Sequence, residues 1–127
     1  MIDLHHRIAI RAPRTKVFQA LSTAEGLAWW CSKVERTEVG LLLAFDDGAC
    51  VLRMRLEAES PEQVRWTCLG DPDDWKGTVL KWEMTELDGI THLAFTHAGW
   101  LAPTAHCATT NTCWGHLLFG LKTRLEA

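Results

Sequence analysis

Residues 107–125, CATTNTCWGHLLFGLKTRL, decide the fold. Cys107, Thr110, Asn111, Trp114, Leu117, Leu118, Leu121 and Leu125 recur at helical spacing and fall on one stripe. Pro103-Thr104 supplies a start signal for that helix. The stripe changes character along its length: its second half is Trp and Leu, its first half Cys, Thr and Asn. Trp114 and the four leucines, at about 1.5–3 kcal/mol each, give the second half a strong drive to pack on a neighbouring layer. The first half has no such drive. A helix glued down at one end and polar at the other predicts a cavity beneath its polar end, the kind of concave, mostly apolar site in which ligands bind.

The layer under the helix is written upstream. Leu4, His6, Ile8 and Ile10 alternate with His5, Arg7, Ala9 and Arg11, the period-two pattern of a half-buried strand. Pro13 stops it and suits the first position of a helix running to about Leu21, with Val17, Phe18 and Leu21 on one face. Ser22 or Thr23 can cap a second short helix whose apolar side is Leu27, Trp29 and Trp30. From about Ser32 to His97 the pattern switches to strands, separated by Gly40, Asp47-Gly48, Ser60-Pro61-Glu62, Gly70-Asp71-Pro72-Asp73 and Asp88-Gly89. Such short connections imply antiparallel hairpins. One face collects Leu41, Leu43, Phe45, Leu52, Met54, Leu56, Val64, Trp66, Cys68, Leu80, Trp82, Met84, Leu93, Phe95 and His97. The other carries Arg53, Arg55, Glu57, Arg65, Lys81, Glu83 and His92, a wet face with opposite charges placed for cross-strand pairing.

Length and composition agree with one domain over residues 1–127. A chain of this size buries roughly two thirds of its unfolded surface, and 47% hydrophobic with 23% charged residues is globular rather than disordered. A net charge of −3 gives no electrostatic reason for a nucleic-acid or anionic-membrane partner. No apolar window approaches the roughly 20 residues of a membrane helix. The start MIDLHHRIAIRAP lacks the apolar block of a signal peptide, so a cytoplasmic location is expected. Five cysteines, odd in number and without CxxC spacing, argue for buried thiols over a disulfide framework or a zinc knuckle. Seven Trp with no Tyr are unusual, since large indoles must fill a core or line a pocket.

The segments IRAPRTKVFQALSTAEGLAWW, DDWKGTVLKWEMTE, ITHLAFTHAGW and CWGHLLFGLKTRLE, in this order over these elements, resemble bacterial SRPBCC proteins of the type homologous to the activator of the heat-shock-protein-90 ATPase. These are members of the START and Bet v 1-like superfamily. The resemblance implies an α+β helix-grip fold: a curved antiparallel sheet wrapped around the long C-terminal helix, with two short helices after the first strand. It rests on Pro13, Trp30, Trp75, Gly77, Phe95, His97, Gly99, Trp114 and Leu121, and implies a hydrophobic-ligand pocket under the helix. It implies no shared catalytic set, because fold does not fix function. The eukaryotic co-chaperone of this type has an additional N-terminal domain for which 127 residues leave no room, so chaperone activation is not expected.

The chemistry open to the inward face is limited. By parity Glu57 and Glu83 point outward, leaving His97 as the one plausible base for an enzyme of the polyketide cyclase, aromatase or hydrolase kind. His92, His97, His106 and Cys107 cluster in sequence, but parity puts His92 and His97 on opposite faces, and no metal is expected. A co-chaperone-like interaction domain would need an exposed apolar patch, for which Trp75 and Trp100 are the candidates, each better read as a local plug. The favoured expectation is binding of a small hydrophobic or aromatic molecule, without cofactor, by a monomer or homodimer. Its expected ligand residues are Trp30, Trp66, Trp82, His97, Thr110, Asn111 and Trp114, with Asn111 or a backbone carbonyl as the partner of His97.

Overall fold

The alternating N-terminal residues form strand β1 (Ile2–Ile10), shielded and exposed in turn until Ile10, which is fully buried. In the computed structural model, which describes residues 2–48, 50–69, 75–101 and 104–127, helices α1 (Arg14–Ser22) and α2 (Ala24–Leu27) follow. Pro13 stands one position earlier than expected, as the N-cap of α1 with φ −67° and ψ 151°. Its ring-fixed φ serves either position. Thr23 joins the two helices: its hydroxyl donates to the Gln19 carbonyl at 3.0 Å and accepts the Gly26 N–H at 2.9 Å. Replacing Thr23 with Ala removes this cap and is expected to cost about 1 kcal/mol. A lower urea midpoint with an unchanged slope would register it. Trp29 and Trp30 lie beyond α2 rather than within it, half-buried.

The remaining strands are β2 (Lys33–Arg36), β3 (Leu41–Phe45), β4 (Cys50–Ser60), β5 (Gln63–Cys68), β6 (Val79–Leu87) and β7 (Ile90–Trp100), and the chain ends in α3 (Ala105–Glu126). They form one seven-stranded sheet in the order β1-β7-β6-β5-β4-β3-β2, antiparallel throughout. Consecutive strands from β2 to β7 are neighbours, and β7 then returns to pair with β1, His6 opposite Phe95. The turn residues fall where their chemistry allows. Asp47, Gly48, Asp88 and Gly89 all adopt positive φ, a region that Gly enters without cost and Asp more readily than most residues. The turn expected over Gly70–Asp73 lies outside the described residues, as does Pro103.

Parity along the strands is as expected. Leu43, Phe45, Leu52, Met54, Val64, Trp66, Cys68, Leu80, Trp82, Met84, Leu93, Phe95 and His97 are buried on the inner face, while Arg53, Arg55, Glu57, Lys81, Glu83 and His92 are exposed on the outer one. The sheet curves around α3, giving the α+β helix-grip architecture. Burial of Trp114, Leu117, Leu118, Leu121 and Leu125 seats the second half of α3 on the sheet. Polar ties fix the same end: Lys122 Nζ donates to the Ala9 carbonyl at 2.7 Å, Lys16 Nζ to the Leu125 carbonyl at 3.0 Å, and Arg124 Nε to the Trp29 carbonyl at 2.6 Å. The first half is started by Thr104, whose side chain accepts the Cys107 N–H at 3.1 Å.

Candidate functional site: a cleft under the polar end of the long helix

His97 projects inward from β7 and is completely buried. The Trp114 indole N–H donates to its Nδ1 at 3.1 Å, and its Nε2 lies 2.8 Å from the Thr78 hydroxyl. Thr78 in turn donates to the Trp75 carbonyl at 2.5 Å. An indole nitrogen can only donate, so Nδ1 must present its lone pair. With the Thr78 proton committed to Trp75, Nε2 carries the hydrogen and donates to the Thr78 oxygen. This pattern assigns a neutral imidazole in one tautomer. Trp75, Trp100 and Trp114 enclose the ring, with centroids at 4.8, 4.9 and 6.2 Å. The partner expected for His97 is therefore corrected: not Asn111, but Trp114 from the helix and Thr78 from the loop before β6.

Asn111 is exposed on the flank of α3, where its Oδ1 meets His6 Nε2 of β1 at 2.8 Å. At helical spacing it belongs to the broad stripe, yet Thr110 takes the sheet-facing position and leaves Asn111 at the edge. Trp66 and Trp82 likewise do not offer cavity walls. The strand register sets Val64 opposite Trp82 and Trp66 opposite Leu80, so the two indoles are diagonal neighbours, close enough to touch. Their centroids are 4.8 Å apart, and Trp82 also packs on Phe95 at 4.4 Å. Trp66 donates its indole N–H to the Leu21 carbonyl at 2.9 Å, tying the sheet to α1. Trp30 plugs the helical corner instead, donating to the Ala20 carbonyl at 2.8 Å and lying 5.0 Å from Phe45. The middle of the fold is solid aromatic core.

Open space occurs further along, between the first half of α3 and strands β3 and β4. A cleft of about 200 Å³ lies there. Phe45 and Leu52 form its floor, Trp75, Trp114 and Leu117 its apolar side, and Thr109, Thr110 and His106 its polar rim on α3. Cys50 and Cys113 complete the wall. Thr110 and Trp114 are thus the two expected ligand residues that line it. Trp75 and Trp114 stack, at 5.8 Å between centroids and 27° between planes, and both stand against His97, which does not itself line the cleft. Trp75 and Trp100 are nearly fully buried, as plugs rather than exposed patches. Phe45 and Leu52 are not legible as site residues, because a floor built from strand residues carries the same apolar signal as a filled core, and Trp75, between β5 and β6, reads from sequence as a local plug. Among the described residues no group of three or more His, Cys, Asp or Glu is arranged to hold a metal ion. No described helix is long and apolar enough to cross a membrane.

Burial also sorts the thiols. Desolvation pushes Cys31 up to about 12. It pushes Cys68 up to about 11, against a smaller lowering by its side-chain hydrogen bond with Thr78. Both remain thiols at neutral pH and are poor nucleophiles.

A curved antiparallel sheet closed on a long C-terminal helix, with a cleft under that helix's polar end, defines a helix-grip protein of the SRPBCC class. The sequence model described as Activator of Hsp90 ATPase homolog 1-like protein matches residues 11–126, and the chain belongs to that family. The Aha1 dimer from Colwellia psychrerythraea, solved in solution, is similar at 32% identity and TM-score 0.82, over 99% of this chain and 97% of that one. A crystal structure from Mesorhizobium loti matches at 20% identity and TM-score 0.77, over 98% and 97% of the two chains. An AHSA1-like protein from Aeromonas hydrophila matches at 17% and 0.69, over 98% and 92%. The last two likenesses concern the fold alone. No curated protein matches the chain at a significant level.

Proposed function

We propose that this protein binds a small, mostly apolar or aromatic molecule in the cleft between the first half of α3 and strands β3 and β4. The observation that carries this reading is the coincidence of open space with the point where the helical stripe turns from Leu and Trp to Thr and Cys. Trp75 and Trp114 present aromatic surface, and Thr109, Thr110 and His106 provide a few polar groups at the rim. At about 200 Å³ the cleft is smaller than the roughly 300–1,000 Å³ typical of drug-sized ligands, which favours a molecule of one or two rings. The helix-grip family membership supports the same reading.

Catalysis through His97 has less support. Both ring nitrogens are hydrogen-bonded, and Trp75 and Trp114 supply the cleft wall beside it. The interaction-domain reading is also weakened, because Trp75 and Trp100 are buried. For assembly we infer a homodimer, supported by the dimer described for the Colwellia psychrerythraea relative. Light scattering on the eluting protein tests it, and a monomer mass at micromolar concentration overturns it.

Saturation-transfer NMR with 2-naphthol tests the cleft. Wild type should give transfer to the naphthol ring protons. Thr109→Trp fills the rim from an exposed helix position, so the fold should survive while the transfer falls at least several-fold. Absence of transfer to the wild type, or equal transfer to both proteins, would sink the proposal. Native mass spectrometry of freshly purified protein offers an independent check through any co-purifying small molecule.

A further inference from the structure

Cys50 opens β4, and Cys113 lies at the end of the first half of α3, directly before Trp114 and 63 residues after Cys50. Their sulfurs are 2.8 Å apart, both residues are half-buried, and both line the cleft. All five cysteines carry thiols, so this is a dithiol rather than a bridge. A disulfide needs sulfurs at about 2.05 Å, and from this separation its formation requires a shift of under about 1 Å. We propose that Cys50 and Cys113 form a reversible thiol–disulfide site in the wall of the cleft, oxidised by small-molecule disulfides.

The chemistry closes without a further reagent. One cysteine, as thiolate, attacks a sulfur of the small disulfide. That bond breaks, one small thiolate leaves, and a mixed disulfide remains on the protein. The second cysteine loses its proton and attacks the protein sulfur of the mixed disulfide, expelling the second small thiol. The protein has lost two electrons and two protons, and the small disulfide has been reduced to two thiols. Partial exposure of the pair gives the oxidant access, whereas Cys68 and Cys107 are buried, and Cys31 and Cys68 are held as thiols. A bridge would pin α3 to the start of β4 at the point where its Thr and Cys half meets the buried Trp114. Oxidation would thereby set the width of the cleft that both cysteines line.

The test is oxidation of the intact protein with glutathione disulfide, followed by thiol titration under denaturing conditions and non-reducing peptide mapping. The titratable thiols should fall by two from the original five, with one cross-linked peptide pair carrying Cys50 and Cys113. Closing a loop of this length should raise the melting midpoint by roughly 5–15 °C, reversed by dithiothreitol. Cys113→Ser and Cys50→Ser should each abolish the cross-link, and Cys31→Ser should leave it intact. Retention of all five thiols, or a cross-link mapping to another pair, would overturn the proposal. Because the peptide map of the wild type decides alone, the test survives a serine variant that fails to fold. Ligand binding plays no part in the readout, so its outcome is separate from that of the cleft proposal.

Discussion

Replacing Trp66 with Ala should lower the unfolding free energy by about 3–5 kcal/mol, the range for removing a large aromatic side chain from a packed interior. The indole is fully buried, 4.8 Å from Trp82 and 6.2 Å from Trp30 between centroids, so truncation opens a void that its rigid neighbours cannot collapse into. It also withdraws the donor from the Leu21 carbonyl, loosening α1 from the sheet. Against a typical total of about 5–15 kcal/mol, that is a large part of the stability of a domain. Urea denaturation followed by far-ultraviolet circular dichroism would measure it. Trp66→Phe, which keeps most of the volume and loses the N–H, should cost distinctly less than the Ala variant. A loss below about 1 kcal/mol for Trp66→Ala would mean that the ring is not filling the core, and would reopen its role as a cavity wall.

The contrast between Trp66 and Trp114 shows what can be read from sequence here. Strand alternation places Trp66, Trp82 and His97 on the inner face, since a period of two is a property of the backbone. The asymmetry of the helix stripe locates the cleft at its Thr and Cys end, and the Leu end closes as expected. Which indoles fill the interior and which face open space depends on rotamers and on how closely α3 approaches each strand. Neither leaves a trace in a one-dimensional pattern. Asn111 illustrates the limit on a helix: Thr110 and Asn111 both fit a broad stripe, and only the position of β1, with His6 at hand, turns Asn111 to the flank. Long-range pairs are hidden still more completely. Nothing in the spacing of Cys50 and Cys113, or of Thr78 and His97, marks them as neighbours, because the antiparallel register and the seat of α3 bring them together.

His97→Leu is expected to cost about 2–4 kcal/mol, and the way that loss divides identifies what the histidine does. Leu is apolar and comparable in bulk, so the packing of Trp75 and Trp100 around the site changes little. The Trp114 indole N–H is left buried without its acceptor, an omission worth about 1–3 kcal/mol. Thr78 also loses a donor, at smaller cost, because its own proton stays on the Trp75 carbonyl. His97→Gln and His97→Asn separate the two bonds. The Gln amide reaches the position of Nε2 and can serve Thr78 while abandoning Trp114. The Asn oxygen sits near Nδ1 and can accept from Trp114 while abandoning Thr78. If the indole bond dominates, the Asn variant should retain more hydrogen-bond energy than the Gln variant, set against a cavity from its shorter chain. A structural clamp predicts lower melting midpoints in all three variants, while 2-naphthol still binds wherever the fold persists. Retained stability with lost turnover on an aromatic substrate would instead return His97 to a catalytic role. The geometry favours the clamp: a buried imidazole that accepts from the helix and donates to the loop holds Trp114 and Trp75 in the stack that walls the cleft.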